Sequence, residues 1–252
     1  LRERHRVRWV ETERQALDRA SDQLVALLLK PDTSLGTACS RVASIARPLA
    51  WTNGGWFGLF ERAAAMLGDR WLDEEIGEVD LTLALVTLQT AVHEIDEAQG
   101  SVPETKPEMR SVLVAPLPGE PHLLEASLHR EALWRAGWQV DCDWPTSDAA
   151  LEQLVADQWF DVIDLTLSCA LQHEHLLQRM GRTVNALRRC SRNPRLAIVV
   201  GGRLFAERSD DWHRVKADAG CGSATSICRA SNDALAHAGV DQADAPARRQ
   251  AS

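Results

Sequence analysis

Four short apolar runs, "SVLVAP" from Ser111, "WQVDCD" from Trp138, "DVIDLTLS" from Asp161 and "LAIVVGG" from Leu196, alternate with helical stretches near residues 122–136, 148–157 and 170–189. No other feature constrains the fold as much. Short runs rich in Val, Ile and Leu, bounded by turn residues, have the pattern of strands buried on both faces. Strands joined through helices rather than through tight turns lie parallel, because only a crossover returns the chain to the same end of the sheet. A weak fifth strand is expected around "ADAGCG", residues 217–222. Residues 110–240 are therefore expected to form a parallel α/β domain.

The first 98 residues carry helical periodicity alone. Leu17, Ala20, Leu24 and Leu28 fall on one helix face, and Leu81, Leu85, Leu88, Val92 and Ile95 recur at near-heptad spacing. Two more helical stretches lie between them, set apart by Pro48, by Asn53-Gly54-Gly55 and by Gly68. The expectation is an N-terminal bundle of four to five helices over residues 1–98. Residues 99–109, with Gly100, Pro103 and Pro107 among charges, break every periodicity and serve as the linker; residues 241–252 are polar and are expected to form a disordered tail.

Charge and cysteine usage exclude several functions. With 28 Lys and Arg against 36 Asp and Glu, the formal charge of −8 opposes a phosphate backbone, and no recognition helix is visible. No stretch approaches the length of apolar chain a membrane span needs, and the "LRERHRVRWVETER" start is charged rather than signal-like, so a cytoplasmic location is expected. The six cysteines, Cys39, Cys142, Cys169, Cys190, Cys221 and Cys228, form no CxxC pair, and such scattered thiols serve as core filler. A substrate-handling domain does not fit beside these two halves, so no enzyme activity is expected.

The strand ends hold the chemistry. In "PLPGEPHLLE" after the first strand, Glu120 precedes His122 by two residues. A carboxylate so placed can accept a hydrogen bond from one ring nitrogen while the other binds a metal. Ser168 closes the third strand, and Gly201-Gly202 closes the fourth, where a side chain would block close approach to the backbone.

Together "EPHLLE", "SCA" and "GG" resemble the cobalamin-binding domain, whose pattern is Asp-x-His-x-x-Gly after strand one, Ser-x-Leu after strand three and Gly-Gly after strand four. The resemblance covers about residues 110–228 and implies a Rossmann-like sheet. It makes His122 the lower ligand to cobalt and Glu120 the group that orients it; Ser168, Gly201 and Gly202 would line a slot for the displaced nucleotide tail. Glu125 stands where that pattern has the glycine under the corrin, and Ala170 stands where it has the leucine.

"WLDEEIGEVDLT", residues 71–82, resembles the capping bundle of cobalamin photoreceptors and methionine synthase, which makes Trp71 the cover of the cofactor's upper face. The Glu-His pair expected after it is replaced by Leu81-Thr82, which implies a small upper ligand. The whole layout is similar to the AerR/PpaA-type antirepressors and the haem/cobalamin sensor domain of AppA. That resemblance implies cobalamin as the cofactor, with haem as the alternative held by the same imidazole. It also implies a light- or redox-responsive regulator that binds a transcriptional repressor of the PpsR/CrtJ kind, acting as a monomer or weak dimer without touching nucleic acid or membrane. A corrinoid carrier subunit of a methyltransferase is the reading from another class. Of the remaining histidines, His129 is expected at the surface, His93 inside the bundle, and His173 and His175 in solvent.

Overall fold

The computed structural model describes residues 2–30, 34–47, 55–99, 110–167 and 173–243, and it divides into two compact units, Leu1–Ser101 and Val102–Ser252. The expected disordered tail, the centre of the expected linker and both Ser168 and Ala170 fall largely or wholly outside the described residues.

The first unit has four described helices: α1 (Arg2–Leu28), α2 (Leu35–Ala46), α3 (Gly55–Leu72) and α4 (Glu78–Gln99). The hydroxyl of Ser34 accepts the Thr37 N–H at 3.4 Å and so starts α2. That helix buries Ala38, Cys39, Val42, Ala43 and Ala46 in one stripe and packs against α4, which buries Leu81, Ala84, Leu88, Ala91, Val92 and Ile95. Alanines in both stripes let the two helices approach closely. The bulk comes from α3, where Trp56 stacks on Phe57 at 4.1 Å and meets Phe60 edge-on at 5.4 Å.

The expected seam of α4 is seen except at Leu85, which is half-buried. Among the α1 residues whose side chains are described, Ser21, Leu24 and Val25 are buried, while Leu17, Ala20 and Leu28 are half-buried. Ser21 can enter this interior because its hydroxyl donates to the Leu17 carbonyl at 2.8 Å. Cys39 is buried filler, as its type suggests.

The second unit is a sheet of five parallel strands in the order β2-β1-β3-β4-β5. These are β1 (Ser111–Pro116), β2 (Gln139–Asp141), β3 (Val162–Thr166), β4 (Ala197–Gly201) and β5 (Ala219–Cys221). Helices α5 (Leu124–Arg135), α6 (Asp148–Asp157), α7 (His173–Cys190), α8 (Arg203–Glu207), α9 (Asp211–Arg214) and α10 (Ile227–Ala243) connect or flank them. The weak strand at 219–221 is present, and α10 continues beyond residue 240 to Ala243.

Side-chain alternation divides the interior into two layers. Leu113, Ala115, Ile163, Leu165, Ile198 and Val200 meet Leu151 and Val155 of α6 and Leu177, Met180, Val184 and Leu187 of α7. On the opposite face Val112, Val114, Val162 and Val199 meet Ala126 and Leu133 of α5 and the alanines of α10. The strand order reverses between β1 and β3, so their carboxyl ends flank the crevice where sheets of this type bind ligands.

Candidate functional site

The loop after β1 is built to hold still. Pro118 and Gly119 occupy the centre of a tight turn closed by the Glu120 N–H donating to the Leu117 carbonyl at 2.8 Å. Gly119 has a φ of +85°, which the third position of a type II turn requires and a side chain resists. Arg179 of α7 donates to the Pro118 carbonyl, and the Leu117 N–H donates to the Thr166 carbonyl at 2.9 Å, tying the loop to the end of β3. Beyond the turn, the Glu120 carboxylate accepts the His122 backbone N–H at 3.0 Å. His122 is half-buried on this braced loop, at the carboxyl end of β1 and beside the point of strand reversal.

Helix α5 follows, and its buried face holds a charged cluster. His129, expected at the surface, is fully buried. Its Nδ1 lies 2.7 Å from Asp164 Oδ2 of β3, its Nε2 lies 3.0 Å from Glu125 Oε1 one turn earlier, and Cys221 Sγ of β5 is 3.9 Å from the same Nε2. The reason for the burial is Asp164. A carboxylate at 0 % exposure in the middle of β3 needs a cationic or donor partner, and His129 is the side chain that supplies it. Burial alone would lower the pKa of His129, but the Asp164 carboxylate, seconded by Cys221, overturns this and holds it well above its ordinary value of 6.5. The imidazole is thus held toward its protonated form by Asp164, with Glu125 at its other nitrogen.

The glycines at the end of β4 are explained by what lies against them. A Cβ on Gly201 would stand 2.5 Å from His129 Cε1 and 3.5 Å from Asp164 Oδ1, so the absence of a side chain admits the ring. Gly202, with a φ of +106°, would place its Cβ 2.3 Å from the Leu167 carbonyl oxygen, so it allows the ends of β3 and β4 to meet. Asp164 Oδ1 and Thr166 Oγ1 are buried and lack hydrogen-bond partners among the described residues.

Of the residues singled out from sequence, Glu120, His122, Glu125, Gly201 and Gly202 gather around the carboxyl ends of β1, β3 and β4. Glu125 is joined to the sheet through His129. Trp71 belongs to the other unit, half-buried in the last turn of α3, and Leu81 is part of that unit's core while Thr82 is exposed. His93 is exposed rather than interior, one position past buried Val92, and His175 is exposed as expected. Asp164 was missed. The signal for it was present: a lone acid inside "VIDLT", in a strand buried on both faces, needs a buried partner, and His129 four residues after Glu125 is placed on the same helix face.

The AppA family, described as a sensor containing heme instead of cobalamin, matches residues 101–250, more than half of the chain. The chain belongs to this family. The AppA-family match takes in the whole α/β unit with its loop, its buried cluster and its glycines. An uncharacterized 20.5 kDa protein in the bchF-crtJ intergenic region of Rhodobacter capsulatus is 24 % identical over 156 residues, 62 % of this chain and 79 % of that one. In fold, the chain is similar to the monomethylamine corrinoid protein of Methanosarcina barkeri, with a TM-score of 0.61 at 15 % identity, covering 88 % of this chain and 98 % of the other. A helical unit followed by a parallel α/β unit, the fold of that corrinoid protein, is thus the architecture. Among the described residues, no group of three or more His, Cys, Asp or Glu side chains could hold a metal ion by itself, and no helix is long and apolar enough to cross a membrane.

Proposed function

We propose that the α/β unit binds a tetrapyrrole through His122 and that the chain relays the state of this cofactor to a transcriptional repressor. The observation that carries the reading is the position of His122, half-buried at the strand reversal on a loop locked by the Pro118-Gly119 turn and by the Glu120 carboxylate. A loop so braced would hold the imidazole in one orientation, which a metal ligand needs.

Haem is the cofactor that the residues fit best. The side of Gly201 that would receive a nucleotide tail is filled by the His129 ring; a haem has no such tail and needs no space there. Membership of a family of haem-containing sensors supports the same choice. Cobalamin is the second reading, supported by the corrinoid-protein fold and by the retained Glu120 and His122. Bound haem iron supplies a centre whose oxidation and ligand state respond to redox conditions. His122 would hold it; Glu120 fixes the backbone of His122, and Arg179 braces the loop.

A regulatory role without DNA contact is supported by the charge of −8, which opposes a phosphate backbone, and by the relative in the bchF-crtJ intergenic region. A partner that prefers one cofactor state reads it by differential affinity. The test is reconstitution with haemin and, separately, with hydroxocobalamin, followed by visible spectra of the protein and of His122→Ala. The expected result is a ligand-specific spectrum that H122A shifts, with affinity lowered about tenfold or more. An identical spectrum and affinity in H122A removes the proposal. Capture of a photosynthesis-gene repressor only in one cofactor state supports the relay, and capture indifferent to the cofactor removes it.

A further inference from the structure

We propose that His129 is a specificity-determining residue: its imidazole occupies a seat for a flat nitrogen heterocycle beside Gly201, and removing it opens that seat to a benzimidazole-type base. The consequence for cofactor choice rests on the tetrapyrrole reading, whereas the seat itself is a property of the α/β unit alone.

The seat has a floor, two ends and a position. Its floor is the Gly201 backbone, so close that a Cβ would lie 2.5 Å from His129 Cε1. Its ends are acceptors, Asp164 Oδ2 at 2.7 Å from one ring nitrogen and Glu125 Oε1 at 3.0 Å from the other. The Cys221 thiol closes the side at 3.9 Å. Two more groups in this layer are unspent: Asp164 Oδ1 and Thr166 Oγ1, both fully buried and both without a hydrogen-bond partner among the described residues. Without a Cβ at residue 201 there is room for one planar azole between Asp164 and Glu125. Here the chain supplies that azole itself.

Close packing then makes the seat exclusive. An interior at 0 % exposure has no room for a second ring. A cofactor carrying a pendant base could enter only by expelling His129, which breaks its hydrogen bond to Asp164 and its ion pair with Glu125 and strands Asp164 as an unpaired buried carboxylate. A tetrapyrrole without such a base need not displace His129. Glu125, standing in place of the glycine of the cobalamin-binding pattern, reinforces the exclusion by holding His129 in its seat.

The test uses the full chain and two variants. His129→Ala combined with Asp164→Asn empties the seat and removes the charge that would be left unpaired; His129→Asn shortens the side chain while keeping a group able to bond Asp164. Folding is checked by circular dichroism, and thermal melts are run with and without benzimidazole. The expected result is that benzimidazole raises the melting temperature of whichever variants fold and leaves the unsubstituted protein unchanged. In parallel, titrations with cobinamide, which lacks the nucleotide base, and with hydroxocobalamin give an affinity ratio. That ratio should move toward cobalamin by about tenfold or more in the variants. Equal benzimidazole stabilisation of variants and unsubstituted protein, or none in a folded variant, overturns the proposal. So does an unchanged ratio. If the protein takes up neither haem nor any corrin, the functional proposal fails, while the benzimidazole shift still decides this one.

Discussion

At the scale of single residues, His129 couples stability to pH. Asp164 of β3, Glu125 of α5, Cys221 of β5 and Cys228 of α10 surround it. Its pKa in the folded chain is raised well above 6.5, so the folded state holds a proton that the unfolded state releases first. The stabilisation is complete below the unfolded value and is lost as pH rises through the folded one. Denaturant unfolding between pH 6 and 9 should therefore show stability falling above about pH 6.5, with a slope approaching about 1.4 kcal/mol per pH unit, and His129→Gln should abolish that slope. The two glycines give a second prediction. Gly201→Ala and Gly202→Ala should each cost about 1–3 kcal/mol. Gly202→Ala should cost the more, because its new methyl meets the Leu167 backbone at a φ of +106° whereas that of Gly201→Ala meets a side chain.

At the scale of elements, the sheet is held in register by polar side chains at the ends of its strands. The Asn193 amide donates to the Phe160 carbonyl at 2.8 Å while its Oδ1 accepts the Arg195 N–H at 2.8 Å, joining the turn before β4 to the start of β3. Only 5 % of Asn193 is exposed, so its loss would leave backbone groups unpaired. Asn193→Ala should destabilise the chain by about 1–3 kcal/mol in denaturant unfolding. The cap of α6 is worth less. Ser147→Ala removes the acceptor for the Ala150 N–H, 3.2 Å away, and should cost about 1 kcal/mol. A Ser147→Ala loss equal to that of Asn193→Ala would show that burial does not separate the two roles.

At the scale of the whole molecule, the two layers of the sheet are built, among the described residues, from positions between Val112 and Ala238. A fragment of residues 102–252 should accordingly fold alone, seen as a single cooperative melt with the circular dichroism of a mixed α/β protein. A featureless spectrum would mean that the helical unit is needed for folding. The net charge of −8 also belongs to this scale. Mobility-shift assays with DNA should show no specific, salt-resistant complex for the chain alone, and such a complex would contradict a purely partner-mediated regulatory output.

Local physics made the architecture legible. The strands at 111–116 and 197–201 were visible because a strand buried on both faces leaves an unbroken apolar run, and the helices of the first unit because a buried face repeats about every 3.6 residues. The turn carrying His122 was visible too, since Pro-Gly has few conformations open to it. The charged cluster was not assembled from sequence, although its members could each be seen. Glu125, His129, Asp164 and Cys221 lie on three different elements, and only the packing of α5 across β3, β4 and β5 brings them within hydrogen-bonding reach. The same holds for Gly201, which sequence suggested as an open slot and the fold fills with a ring from a helix 72 positions away in the chain. Backbone periodicity is set by neighbours along the chain. The identity of the side chain that fills a gap is set by neighbours across it, and those the tertiary structure alone decides.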